Sequence, residues 1–160
     1  MEGPRLSVES REDFKLSLRK ATLEDADAFV ALEHSVAENK TYSGILDSDE
    51  ALAEFRDNEV YLFYKGTRLV GSVEFQMKSP DHAYIAGMVV HPDFQGKRVA
   101  YEAVQLLMEK LKDVKNIELV THPENANILS MSEKMGFKVV DRVENYFGDG
   151  EPRLVLALTR

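Results

Sequence analysis

The period of apolar and polar residues changes several times along the chain, and each change marks an element. Phe14, Leu16 and Leu18 alternate with polar residues as a strand does. Thr22, followed by Leu-Glu-Asp, reads as an N-cap with acidic residues in a first helical turn, and that helix is expected to run to about Glu38. A polar stretch with Gly44 leads to a second, short helix near Glu50 to Arg56, preceded by the capping residues Asp47 to Asp49. Val60 to Tyr64, Leu69 to Met77 and Ala83 to Val90 read as consecutive strands, the first two joined by the Lys65-Gly66-Thr67 turn. The third carries Ile85, Met88, Val89 and Val90 on both faces and is expected to be central, with Gly87 permitting a bulge or a close backbone approach.

From Val99 the period becomes helical. Val99, Ala100, Ala103, Val104, Leu107, Met108 and Leu111 trace one core-facing stripe. Ile117 to Thr121 reads as a strand and Glu124 to Met135 as a helix closed by Gly136. Phe137 to Val143 and Arg153 to Thr159 are final strands around the Gly148-Asp149-Gly150 turn. The expectation is a flexible segment over residues 1–13 and a single mixed α/β domain over 14–160, with no internal repeat.

Composition narrows the chemistry. With no cysteine among 160 residues there is no disulfide, thiolate ligand or cysteine nucleophile. The formal charge of −8 disfavours nucleic-acid binding, which draws its affinity from lysine and arginine, and favours cationic partners, although it also serves solubility. No apolar run is long enough to span a bilayer and the first fifteen residues are too polar for a signal-peptide core, so a cytoplasmic protein with no membrane partner is expected.

Residues 88 to 104, MVVHPDFQGKRVAYEAV, form a strand, a turn and the start of a helix. Such a junction presents unpaired N–H groups to an anion, Gly96 lets backbone approach a ligand, and Lys97 and Arg98 add positive charge. An ordinary strand-to-helix connection with solvated basic residues explains the same letters equally well.

The segment resembles the pyrophosphate loop of the GNAT superfamily of N-acetyltransferases, whose pattern is [Arg or Gln]-x-x-Gly-x-[Gly or Ala]; Gln95 and Ala100 match its ends. Asn125 and Glu133-Lys134-Met135-Gly136-Phe137 resemble that family's second motif. The resemblance implies a GNAT-like fold, a central mixed and mostly antiparallel sheet of about seven strands with about four helices. It implies acetyl-CoA as cosubstrate, bound by Met88, Val89, Val90, Gln95, Gly96, Lys97, Arg98, Val99, Ala100, Tyr101 and Asn125, and an amine acceptor such as a polyamine, a protein N-terminus or a small amine, attacked directly in a ternary complex. Dimers are common among similar proteins, so a homodimer is an expectation of the resemblance.

Two positions depart from the pattern. The middle glycine of the loop is Arg98, which is tolerated with helical dihedrals, whereas a positive φ forces the loop to distort. Tolerated binding is the expectation. Ser132 stands where many members carry a tyrosine that protonates the departing thiolate. Relatives that acetylate ribosomal-protein N-termini often lack that tyrosine, and Ala100-Tyr101-Glu102-Ala103 resembles their Ala-Thr-Glu-Ala.

Further roles follow by position. Tyr84 lies about where some relatives carry a glutamate base, although a half-buried strand tyrosine is more often a packing residue. Glu33 falls on the apolar face of the first helix among Phe29, Val30, Val36 and Ala37, placing a carboxylate where it attracts an amine or pairs internally; Glu74, opposite in direction to Val73 and Phe75, is of the same kind. His91-Pro92 and His122-Pro123 each end a strand, but no further ligands stand at metal spacing and no metal is assigned. The competing readings are a non-catalytic acyl-CoA binding or sensing domain, and a nucleotide-binding α/β domain that leaves the second motif unexplained.

Overall fold

The computed structural model describes residues 15–36, 47–95 and 98–160. The readings at Phe14, the segment 1–13, the first helix beyond Val36, Gly44, Gly96 and Lys97 lie outside these residues.

In chain order the elements are β1 (Leu16–Lys20), α1 (Ala26–His34), α2 (Ser48–Asp57), β2 (Glu59–Lys65), β3 (Arg68–Ser79), β4 (His82–Val90), α3 (Val99–Lys110), β5 (Asn116–Thr121), α4 (Ala126–Lys134), β6 (Lys138–Val143) and β7 (Arg153–Thr159). Side chains set the helix starts. The Asp25 carboxylate accepts the Thr22 N–H at 2.7 Å, closing a short 3-10 turn ahead of α1. Asp47 accepts the Glu50 N–H at 2.9 Å. The last helix begins two residues later than its hydrophobic pattern predicts, because Asn125 is its cap and accepts the Ile128 N–H at 3.3 Å. Regular α1 ends at His34, ahead of the expected Glu38: the Ser35 hydroxyl donates to the Leu32 carbonyl, a local bond that competes with helix propagation.

The seven strands form one sheet in the order β1-β2-β3-β4-β5-β7-β6. Every neighbouring pair is antiparallel except β4 and β5. Strand alternation sends adjacent residues to opposite sides: Leu62 packs with Phe29 of α1 and Ala51 of α2, whereas Phe63 packs with Val99, Ala103 and Leu107 of α3. Phe29 meets Phe55 edge-on at 5.2 Å, which ties α1 to α2. Burying one such phenylalanine stabilises the fold by roughly 1.5–3 kcal/mol. Among the described residues no helix is long and apolar enough to cross a membrane.

Two irregularities shape the centre of the sheet. β4 pairs with β5 only from His82 to Ile85, against Asn116 to Leu119, and beyond Ile85 the two strands part. The ladder from β3 also shifts there: Glu74 pairs with Gly87 and Phe75 with Ile85, leaving Ala86 as the extra residue of a bulge. The bulge expected around Gly87 is therefore present, one residue earlier.

Candidate active site

The parting of β4 from β5 leaves the edge of residues 86–90 that faces β5 without a strand partner. Two cavities open onto this gap. A cleft of about 890 Å³ runs from Met88, Val89 and Val90 past Gln95 and Arg98 to the first turn of α3 and across to Asn125 and Lys134 of the α4 side. A smaller cavity of about 330 Å³ lies toward α1, α2 and the turn before β7. Met88, Val89, Asn125, Ile128 and Met131 border both, so the two meet at the gap.

Of the loop residues predicted from sequence, Gln95, Arg98, Val99, Ala100 and Tyr101 line the cleft. Val99, Ala100 and Tyr101 open α3 with no side-chain cap, so N–H groups of its first turn are left for solvent or an anion. The Gln95 amide donates to the Val90 carbonyl at 3.0 Å, which holds the turn against the end of β4. Arg98 has φ 63 and ψ 11, the left-handed region, and its guanidinium lies 5.0 Å from the Tyr101 ring centre. Of the two alternatives, helical dihedrals and a positive φ, the position takes the second: it has the geometry of a glycine and bears an arginine, at a cost of about 1–2 kcal/mol.

The smaller cavity is acidic on one wall. Glu33 of α1, Glu54 of α2 and Glu74 of β3 all line it. The Asn58 amide donates to Glu54 at 2.6 Å and to Glu74 at 3.3 Å. Burial, then a hydrogen bond with Glu54 and the charges of Glu54 and Glu33, pushes Glu74 up to about 9, while the Asn58 amide works in the other direction. Burial first and the Glu54 charge second push Glu33, only 3 % exposed, up to about 8. A cation entering this wall favours the ionised forms of Glu33 and Glu74 and so works against the burial that raises them.

The opposite wall is basic but internally neutralised. Arg153, 2 % exposed, donates to Asp149 at 2.9 Å and to the Pro152 carbonyl at 3.0 Å, with the Phe147 ring 5.2 Å away. His122, also buried, accepts the Glu124 N–H at Nδ1, so Nε2 carries the proton and donates to Glu151 at 2.7 Å. His91 uses Nδ1 in the same way toward the Asp93 N–H, at 3.1 Å. Both histidines are turn-forming residues whose Nδ1 is committed to backbone.

Ser132 is buried on α4 and faces the smaller cavity. Tyr84 is placed elsewhere: its hydroxyl hydrogen-bonds that of Tyr146 at 2.7 Å, and it borders neither cavity. Burial, followed by that bond, pushes the phenol well above the usual tyrosine range. A phenol so disposed is a poor proton acceptor at neutral pH. Glu54 and Arg153 escape sequence reasoning, and His122 enters it as a candidate metal ligand or proton-relay residue. Glu54 stands on a polar helix face whose spacing looks solvated, and only the Asn58 amide it shares with Glu74 of β3 reveals it.

Residues 24–137 match the family model described as the acetyltransferase (GNAT) family. No curated protein sequence matches the chain. Among solved structures, a ribosomal-protein alanine N-acetyltransferase from Escherichia coli is similar at 16 % identity, over 90 % of this chain and 93 % of that one, with TM-score 0.74. The ribosomal alpha-N-protein acetyltransferase RimL in complex with coenzyme A is similar at 17 % identity, over 91 % and 94 %, with TM-score 0.76. An acetyltransferase from Thermus thermophilus is similar at 15 % identity, over 93 % and 99 %, with TM-score 0.74. At these identities the likeness establishes the fold.

Proposed function

The chain belongs to the GNAT acetyltransferase family, and on that premise we propose that it moves the acetyl group of acetyl-CoA to a small cationic amine by direct attack in a ternary complex. The observation that carries this reading is the meeting of the two cavities where β4 leaves β5.

The chemistry of the cleft fits acetyl-CoA. The uncapped first turn of α3, together with the cationic side chains of Arg98 and Lys134, suits the pyrophosphate. The unpaired edge of residues 86–90 offers backbone donors and acceptors to an extended amide-bearing arm. Acetyl-CoA supplies an activated acyl group; the remaining roles fall to the chain. Backbone N–H groups around Met88 to Val90 polarise the thioester oxygen, and the side-chain amide of Asn125, whose oxygen is committed to the α4 cap, directs its N–H groups to the same oxygen. The wall of Glu33, Glu54 and Glu74 takes the ammonium form of the acceptor, whose charge favours ionisation of Glu33 and Glu74. Ser132, beside Met131 at the junction, relays a proton to the departing thiolate. We place Tyr84 outside the chemistry, as a brace between β4 and Tyr146.

The acceptor is a compact amine, since the cavity is about 330 Å³. Turnover with ethanolamine, putrescine, spermidine, phenethylamine and glycinamide, followed by free-thiol release and mass detection of the acetylated product, tests the proposal. Transfer to at least one cationic amine is expected. Tight acetyl-CoA binding with no transfer to any of them contradicts it and favours the sensing domain.

A further inference from the structure

We infer that Glu74 is the general base of this transfer, with Glu54 placed to hold the proton it takes. The inference rests on the proposed function above and assigns one of its acidic residues a chemical step rather than a binding role.

The geometry comes from the sheet. Glu74 pairs across β3 and β4 with Gly87, one residue from Met88, which borders both cavities. Gly87 carries no side chain, and a Cβ built there meets nothing within 4 Å, so open space lies beside the very residue that Glu74 pairs with. The carboxyl of Glu74 lines the same cavity. An acceptor nitrogen at the junction is therefore within reach of Glu74 directly or through one water.

The surroundings raise its affinity for a proton. From α2, Glu54 bonds it and Asn58 donates to both carboxyls; from α1, Glu33 adds negative charge; from β4, Tyr84 is near enough to feel the Glu74 charge. Across the cavity, His122 and Arg153 are engaged with Glu151 and Asp149. An ordinary carboxylate near pH 4 is a weak base toward an alkylammonium near 10, whereas Glu74 pushed up to about 9 is closely matched to it.

The step balances. Binding of the ammonium displaces the Glu74 proton to solvent, and the ammonium then gives one of its own protons to the ionised Glu74, which becomes a neutral acid beside Glu54. The freed nitrogen pair forms the C–N bond to the acyl carbon as the C–S bond breaks, and the second N–H proton goes to the thiolate through Ser132. Glu74 ends in the neutral form from which it started.

The test is the pH profile of kcat for wild type, Glu74→Gln and Glu74→Asp, using the panel amine that wild type turns over fastest, with folding checked by melting. For Glu74→Gln we expect kcat to fall about 100-fold or more near pH 7.5, with amine KM changed less than about threefold, and the deficit to close near pH 10, where the ammonium loses its proton unaided. Glu74→Asp should retain part of the rate and the wild-type profile shape. A raised KM with unchanged kcat, or a loss equal at every pH, overturns the base assignment while leaving the transfer intact. If wild type acetylates none of the amines, the transfer reading fails and the assignment with it.

Discussion

Glu74 and Gly87 face each other across β3 and β4, a half-buried carboxyl paired with a residue that has no side chain. The bulge at Ala86 sets this pairing, and the parting of β4 from β5 begins at the same place. Because no atom lies within 4 Å of a Cβ built on Gly87, the glycine is not required by packing. Gly87→Ala and Gly87→Val should leave stability within about 1 kcal/mol of wild type. Valine fills space at the mouth of the acidic cavity, so the amine KM should rise about tenfold or more while acetyl-CoA affinity changes much less. Steady-state kinetics and denaturant melts measure both; an unchanged amine KM in Gly87→Val moves the acceptor to another site.

Arg98 separates strain from charge. At φ 63 an alanine keeps the left-handed cost and a glycine removes it. Arg98→Gly should therefore be more stable than Arg98→Ala by about 1 kcal/mol, and the pair should share a loss of acetyl-CoA affinity of about 1–3 kcal/mol from the missing guanidinium. Calorimetric titration and melting of both variants check this. If both bind acetyl-CoA more tightly than wild type, the arginine obstructs the loop.

The acidic wall makes stability fall with pH. Glu33 and Glu74 rise from 4.5 in the unfolded range to about 8 and about 9 when folded. The folded state thus binds protons more tightly, so this contribution is complete below about pH 4.5 and is lost as pH climbs through the folded values. Between pH 6 and 9, wild type should lose stability faster than Glu33→Gln or Glu74→Gln, by at most about 1.4 kcal/mol per pH unit for each group removed. Urea denaturation at several pH values shows the difference in slope; parallel slopes mean that the carboxyls are ionised throughout.

Arg153 is held in the interior by Asp149. Asp149→Ala takes away the anion that neutralises a buried guanidinium and leaves it the Pro152 carbonyl, and should cost on the order of 3 kcal/mol. Arg153→Met removes both the charge and its need for a partner and should cost less. Equal losses in the two variants would show that packing against Phe147, not charge, is what Arg153 contributes.

The elements were legible because their periods are long and unmixed: the stripe from Val99 to Leu111 and the apolar run of β4 read directly as a helix and a buried strand. The cleft was legible through resemblance, since Gln95 and Ala100 match the ends of one family motif and Asn125 stands in a second. The acidic wall was only partly legible. Glu33 interrupts an apolar helix face, and Glu74 faces away from its core-bound neighbours, but Glu54 joins them through the Asn58 amide it shares with Glu74, which no local pattern encodes. The dihedral of Arg98 was open, because the resemblance puts it at a loop glycine without saying whether that glycine takes a positive φ. Tyr84 was open in sequence, its position suiting a base or a packing residue, and its hydroxyl is bound to that of Tyr146, a residue far along the chain.

The central claim is that the parted strands join a coenzyme cleft to an acceptor cavity at Met88 and Val89. A crystal structure of the full chain with acetyl-CoA tests it most directly. The account predicts the pyrophosphate at the first turn of α3 beside Arg98, the pantetheine arm along the unpaired edge of residues 86–90, and the thioester among Met88, Asn125 and Ser132, facing Glu74. Acetyl-CoA bound with its thioester outside the gap between β4 and β5, or a gap closed by pairing of those strands, would contradict it.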